Sequence, residues 1–380
     1  MIEIRRGKPS DYPVLLEQLV QSFRERNPSH QRFEVIFPDV VNPSAEAMEQ
    51  WHLAFVDGKL AAGVELIPRN LKMGDAELSC GGIGNVHCWQ PYRGTGCMSA
   101  LLNHVIDDMN QKGWSLSLLG GNRARYGNFG WEYAGVMRMV SVTADAVRFE
   151  EQAEAIHANE LRDYQGSGED AAKMWEVFKQ KPTASVYDSV EAFKASRSRP
   201  GAVTYIDETE DTGFSYISVK PGEIVDYAGS CAGVERILRF LLRSSSWSVA
   251  LPPMACSGET EHMFMHYAGS YSVSITSMVR VNSMCRALNS YMPYLRRRLA
   301  NWSGERIIEL DDGEKVSILK EGEKIMVSDT CRASNIRLTR REAAQLFFGP
   351  FMPDLGCQQD EDFWRLVFPL PLYWGRSDRV

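Results

Sequence analysis

Residues Val86 to Met109 read VHCWQPYRGTGCMSALLNHVIDDM. Three unlike signals sit in that run: an apolar strand, a turn carrying Arg93 with Gly94 and Gly96, and a long helix. After the turn the apolar residues fall at Met98, Leu101, Leu102, Val105, Ile106 and Met109, the spacing of one buried helical face. Ser99, Asn103, Asp107, Asp108 and Asn110 take the opposite face. The turn RGTGCM therefore stands at a helix N-terminus, where unpaired backbone N–H groups and the helix dipole favour an anion. Gly94 and Gly96 carry no side chain to hold a phosphate away from the backbone. The stretch predicts a pyrophosphate cradle.

Working outward, the run IEIRRG predicts a first strand. A helix follows it, begun by Ser10 and Asp11, with Val14, Leu15, Leu19 and Phe23 on one stripe. Strand-like runs from His52 to Val86 are broken by Asp57-Gly58 and Gly74-Asp75, two hairpin signals. Beyond the quoted helix come the strand WSLSLLGG, a short helix at about Tyr126 and the strand WEYAGVMRMVSVTA, which closes a first unit near Ala144. From Asp145 to Asn282 a weaker copy of this pattern runs through GAVTYID, GFSYISVK, GEIVDYAG, the helix GVERILRFLLRSS, WSVALPP and SVSITSMVRV, without an RGTG turn before its helix. A third unit, residues 283–380, opens with one helix, VNSMCRALNSYMPYLRRRLANW. Short strands turning at Asp312-Gly313 and Glu321-Gly322 follow, then a helix capped by Thr339 and Glu342. The fold class expected is α+β, a mixed sheet with flanking helices, in three units: 1–144, 145–282 and 283–380.

At 380 residues the chain is long enough for two or three domains. No stretch reaches the ~20 consecutive apolar residues of a membrane span, and the basic N-terminus has no apolar segment behind it, so a cytoplasmic protein with no membrane partner is expected. A formal net charge of -7 argues against a nucleic-acid partner and requires any anionic ligand to be held by a local device. The eight cysteines show no C-x-x-C pair and read as reduced, mostly buried thiols. His262 and His266 stand four apart beside Glu261, yet HMFMHYAG reads as strand or core with no third ligand, so no metal is expected.

Three cradles compete for RGTGCM. A P-loop needs Lys and Ser or Thr after its last glycine, and Cys97 and Met98 stand there. A dinucleotide fingerprint is approached by Gly94, Gly96 and Ser99, but the strand WSLSLLGGN offers no acidic residue for a ribose. The third is the acetyl-coenzyme A loop of the GNAT acyltransferase superfamily, Q/R-x-x-G-x-G/A after a strand. The turn resembles it as Arg93, Gly94, Thr95, Gly96, Cys97 and Met98, with Met98 as its one departure. Downstream, Tyr126, Phe129, Gly130 and Trp131 resemble that superfamily's Y-x-x-F-G-[FYW] motif. Within the superfamily the three-unit order is most similar to the enhanced-intracellular-survival type of N-acetyltransferase. That type joins an active GNAT domain, a degenerate second one and a C-terminal domain like a sterol carrier protein.

The resemblance implies direct transfer of acetyl from acetyl-CoA to an amine of a small molecule or peptide, with no covalent enzyme intermediate. By it, the backbone from Arg93 to Met98 holds the pyrophosphate, Val86 and Cys88 pair with the pantetheine arm, and Tyr126 is the general acid for the departing thiolate. The base would be the main-chain carboxylate of Val380, at the end of a tail reaching the active site. The type usually ends in an aromatic residue, and here Arg379 stands beside the terminus. Arg123 and Arg125 replace an acidic run before the tyrosine, which makes the mouth less welcoming to a polycation. Relatives form rings, so a homo-oligomer is compatible with the resemblance.

Each residue also has a plainer reading. Cys88 and Cys97 read as small packing residues more readily than as acyl acceptors. His87 points to the other side of its strand and reads as structural, although it could line the amine pocket. Two rival functions stay open: a non-catalytic acetyl-CoA sensor or scaffold, and an apolar-ligand carrier using the third unit.

Overall fold

The computed structural model describes residues 1–25, 27–146, 161–356 and 361–379. β1 (Ile2–Arg6) leads into α1 (Tyr12–Arg24), α2 (Phe33–Ile36) and α3 (Ala45–Glu49). In α1 the inward face is Leu15, Gln18, Leu19 and Ser22, and Val14, expected on that stripe, is 49% exposed. β2 (Trp51–Val56), β3 (Lys59–Met73) and β4 (Ala76–Cys88) follow as an antiparallel meander. Asp57 and Gly58, both at positive φ, make the first turn, and Gly74 at φ 62° makes the second. α4 (Cys97–Gln111) then buries Leu101, Leu102, Val105, Ile106 and Met109, as the spacing predicts. It returns the chain to β5 (Leu116–Leu119), parallel to β4. α5 (Arg123–Tyr126) and β6 (Glu132–Val142) complete this stretch.

Past residue 160 come β7 (Arg162–Asp163), the helix Gly168–Lys179, β8 (Thr183–Val186) and the helix Val190–Arg197. β9 (Val203–Thr209), β10 (Gly213–Lys220) and β11 (Glu223–Ala228) form a second meander. The helix Cys231–Leu242 connects β11 to its parallel neighbour β12 (Trp247–Leu251), repeating the β4-α4-β5 unit. HMFMHYAG is not a strand: Glu259–His266 is a helix with Glu261, Met263 and Phe264 buried. Glu261 is engaged there, accepting from the Tyr227 hydroxyl at 2.8 Å and from the Gly258 N–H at 2.7 Å.

β13 (Ala268–Val281) does not stay beside β12. It lies between β5 and β6, and β6 lies between β13 and β12. The two halves thus exchange their last long strands, and a single mixed sheet of 13 strands runs unbroken across residue 144.

The long helix expected at the start of the third unit is two, Met284–Ser290 and Met292–Arg298. Pro293 has no N–H to continue the first, so a new helix starts at that point. β14 (Gly304–Leu310), β15 (Lys315–Glu321), β16 (Lys324–Asp329) and β17 (Ile336–Leu338) form a separate four-stranded sheet. The helix Arg340–Phe348 carries the expected capping box, with Thr339 and Glu342 each satisfying the other's backbone N–H. After the helix Glu361–Val367, the tail buries Phe368, Leu370, Leu372 and Trp374. These join Leu71 and Leu78 of the first meander in one core. No helix among the described residues is long and apolar enough to cross a membrane.

Candidate active site

β4 and β5 are hydrogen-bonded neighbours only from Cys80↔Leu116 to Ile83↔Leu119. Beyond Ile83, β4 continues to Cys88 while β5 ends, and Asn85, at φ 51°, sits where the register with β3 shifts. A bulge at that position bends a strand away from its neighbour. The resulting gap opens a cavity of about 1030 Å³ that reaches both faces of the sheet.

On one face stands the predicted cradle. Gly94 (φ 79°) and Gly96 (φ 87°) hold the turn in the left-handed region, and a Cβ at either would meet nothing within 4 Å. Gly96 is the N-cap of α4 and supplies no side-chain cap, and the N–H groups of Cys97, Met98 and Ser99 have no partner among the described residues. These are the open donors that an anion needs. The equivalent turn before the helix Cys231–Leu242 is shut. The Ser230 hydroxyl accepts from the Gly233 N–H at 3.1 Å, and a Cβ on Gly229 or Gly233 would strike Ser215.

Arg93 lies at the cradle's rim, its Nε donating to the Cys88 carbonyl at 3.2 Å and its Nη2 2.7 Å from Glu25 at the end of α1. Thr95 turns its hydroxyl inward to the Tyr92 carbonyl at 2.6 Å. Val86, Cys88 and Met98 line the cavity and are half-buried, and Cys97 is buried. Burial, with Cys97 nearby, pushes the Cys88 thiol up, which leaves little thiolate to act as a nucleophile.

Tyr126 closes the cavity at the β5 side. Its ring packs edge-on to Trp131 at 6.5 Å and lies so close over Gly121 that a Cβ there would be 2.5 Å from it. Gly121 is therefore part of the tyrosine's seat. Of the two arginines beside it, Arg125 lines the cavity. Arg123 turns to the buried Glu132 at 2.7 Å, which Arg341 also holds.

The opposite face holds His87, which alternation along the strand had set there, with residues that the sequence did not single out for the site. Phe23 of α1, Phe33 of α2 and Phe37 form an aromatic wall facing Asn85 and His87 of β4. His87, the alternating residue between Val86 and Cys88, is buried; a Cβ on Gly63 would clash with it and with Leu15 of α1. Burial holds its imidazole down to about 4, so the ring is neutral at pH 7. Behind Asn85, Glu65 of β3 is completely buried and accepts from the Asn85 side chain. Burial pushes its carboxyl up to about 8.

The tail reaches this face. Asp378 is buried against Arg197 (2.8 Å) and the Tyr187 hydroxyl (2.7 Å). Burial alone would raise its carboxyl, yet these partners hold it down to about 2. Arg199, which grips Asp39 two residues after Phe37, donates to the Arg379 carbonyl at 2.6 Å. The Arg379 guanidinium turns to the Trp374 carbonyl. Val380 lies outside the described residues, as does Cys357.

Residues 3–134 match the family model described as an acetyltransferase (GNAT) domain. Among curated proteins none matches the chain. Solved structures share its fold over nearly the whole length. A GCN5-related N-acetyltransferase from Anabaena variabilis is 16% identical, with 100% of this chain and 97% of that one covered at a TM-score of 0.65. One from Kribbella flavida is also 16% identical (91% and 88% covered, TM-score 0.62). Eis1 from Mycobacterium abscessus is 12% identical (92% and 90% covered, TM-score 0.60).

Proposed function

We propose that the protein is an N-acetyltransferase of the enhanced-intracellular-survival type, moving acetyl from acetyl-CoA directly to an amine of a small molecule or peptide. The observation that carries this reading is the cavity through the β4–β5 gap, with an uncapped helix N-terminus on one face and an acceptor-sized recess on the other. The cradle fits the cosubstrate: three open amides and the two glycines take the pyrophosphate, with Arg93 beside them, and the free stretch of β4 at Val86 and Cys88 receives the pantetheine arm. Acetyl-CoA supplies the activated thioester.

In this reading the amine lone pair attacks the acetyl carbonyl and the carbon–sulfur bond breaks. Tyr126 gives its hydroxyl proton to the leaving thiolate. The amine's proton goes to the Val380 carboxylate, a role supported by the hold of Arg199 on the Arg379 carbonyl beside the acceptor recess. The strand-exchanged second half, with its shut turn, corresponds to a degenerate GNAT domain that holds no cosubstrate. The four-stranded unit corresponds to the sterol-carrier-like domain that delivers the tail. That unit's core is filled by the tail's own aromatics, which favours a delivery role over that of an apolar-ligand carrier.

Calorimetric titration with acetyl-CoA tests the reading. Micromolar binding is expected, lost in Gly96→Glu, which puts an anion into the cradle. Absence of binding by the unaltered protein would overturn it. Binding without turnover of any amine would leave the sensor in its place.

A further inference from the structure

The acceptor recess has a composition that narrows the substrate. Three phenylalanines line it: Phe23 and Phe33 pack edge-on at 4.7 Å, and Phe33 and Phe37 stand 6.4 Å apart. Among the described residues lining the whole cavity there is no Asp and no Glu, although the chain is acidic overall. The nearby carboxyls are committed elsewhere. Asp39 is held by Nε and Nη2 of Arg199, Glu25 pairs with Arg93, and Glu65 is shut behind Asn85.

Two polar atoms beside the recess have no partner, the Ser22 Oγ and the His87 Nε2, and both are shut off from solvent. His87 is 2% exposed and lines the cavity, its Nδ1 is 3.2 Å from the Asn85 carbonyl, and its Nε2 is buried without a partner. A carbonyl can only accept, so Nδ1 carries the proton and Nε2 presents a lone pair.

We propose that the acceptor is a monoamine carried on an aromatic or similarly apolar body, seated against Phe23, Phe33 and Phe37, and that polycationic amines are excluded. This rests on the acetyltransferase reading and names its substrate class. A flat apolar body gains from the phenylalanine wall by burial and ring packing. A polycation would have to leave several ammonium groups unpaired in a cavity whose only fixed charges, among the described residues, are Arg93 and Arg125. The single carboxylate assigned to Val380 can meet one ammonium only.

The test is calorimetric titration of the full-length protein with 2-phenylethylamine, spermidine and kanamycin, each with and without saturating CoA. The phenylethylamine is expected to bind at least about tenfold tighter than either polycation. Phe33→Ala and Phe37→Ala should each weaken it about tenfold or more, leaving acetyl-CoA affinity unchanged. Phe33 is buried and its variant could unfold α2; Phe37 is half-exposed, so its variant keeps the test alive. Equal or tighter binding of a polycation, no binding of phenylethylamine at millimolar concentration, or indifference to Phe37→Ala would each overturn the proposal. Failure of acetyl-CoA to bind would bring down the acetyltransferase reading separately, because the amine preference is still read without CoA.

Discussion

Tyr126 is fixed by its ring, which sits over Gly121 and against Trp131, while its hydroxyl is what the proposed chemistry uses. Tyr126→Phe keeps the packing and removes the proton donor. The turnover number is expected to fall by about 100-fold or more, with the Kd for acetyl-CoA changed less than about twofold. Unchanged turnover would take Tyr126 out of the mechanism. Glu65 makes a second, separable prediction. Its carboxyl is pushed up to about 8 by burial, so between roughly pH 4.5 and 8 the folded protein holds a proton that the unfolded chain releases. Its contribution is complete below that window and is lost as pH rises through 8. Glu65→Gln should therefore raise Tm relative to the unaltered protein at pH 8.5 and bring little change at pH 5. A melting series at both pH values checks the sign. The cradle and Tyr126 were legible because their chemistry depends on neighbours in sequence. Glu65, Phe33 and Phe37 were not, since a bulge at Asn85 and the packing of α1 and α2 bring them to the site, and no local spacing encodes either.

At the scale of elements, α4 and the helix Cys231–Leu242 are built alike, each joining two parallel strands, but they begin differently. One starts on Gly96 with its amides open, and the other on Ser230, whose hydroxyl takes the Gly233 amide. Ser230→Ala should cost about 1 kcal/mol of stability by urea denaturation and leave acetyl-CoA affinity unchanged. A loss of cosubstrate binding in that variant would mean that the second helix holds it after all. The pattern of helical apolar residues located α4 to within its observed face. Two other segments were misread for reasons that can be named. In HMFMHYAG the apolar residues Met263, Phe264 and Met265 are consecutive and fit a buried strand as well as a helix, although the burial of Glu261 and Phe264 follows a helical turn. In VNSMCRALNSYMPYLRRRLANW the periodicity runs through Pro293, but the hydrogen bonding does not.

Across the whole molecule, the tail is anchored by a buried charge network: Arg197 between Asp226 and Asp378, each at 2.8 Å. Asp378→Asn leaves the buried Arg197 short of one counter-charge and should destabilise the protein by about 3 kcal/mol. Because the carboxylate is held at about 2, its share of stability is present above roughly pH 4 and lost as pH falls toward 2. The variant's deficit, measured by chemical denaturation, should accordingly shrink in acid. The order of meander, helix and parallel strand in each half was readable from repeated element patterns. The exchange of β6 and β13 was not, because a strand's alternation shows that it is half-buried and never which neighbour it has.

That exchange bears on how the chain is made. β4, the cradle and β5 leave the ribosome well before β13, which is about 150 residues further on, yet β13 is the strand that covers β5. Until then the nascent chain carries the RGTGCM turn beside an unguarded strand edge, open to pairing with other nascent chains. The edge that β13 covers is therefore closed only once the second half of the chain has been made.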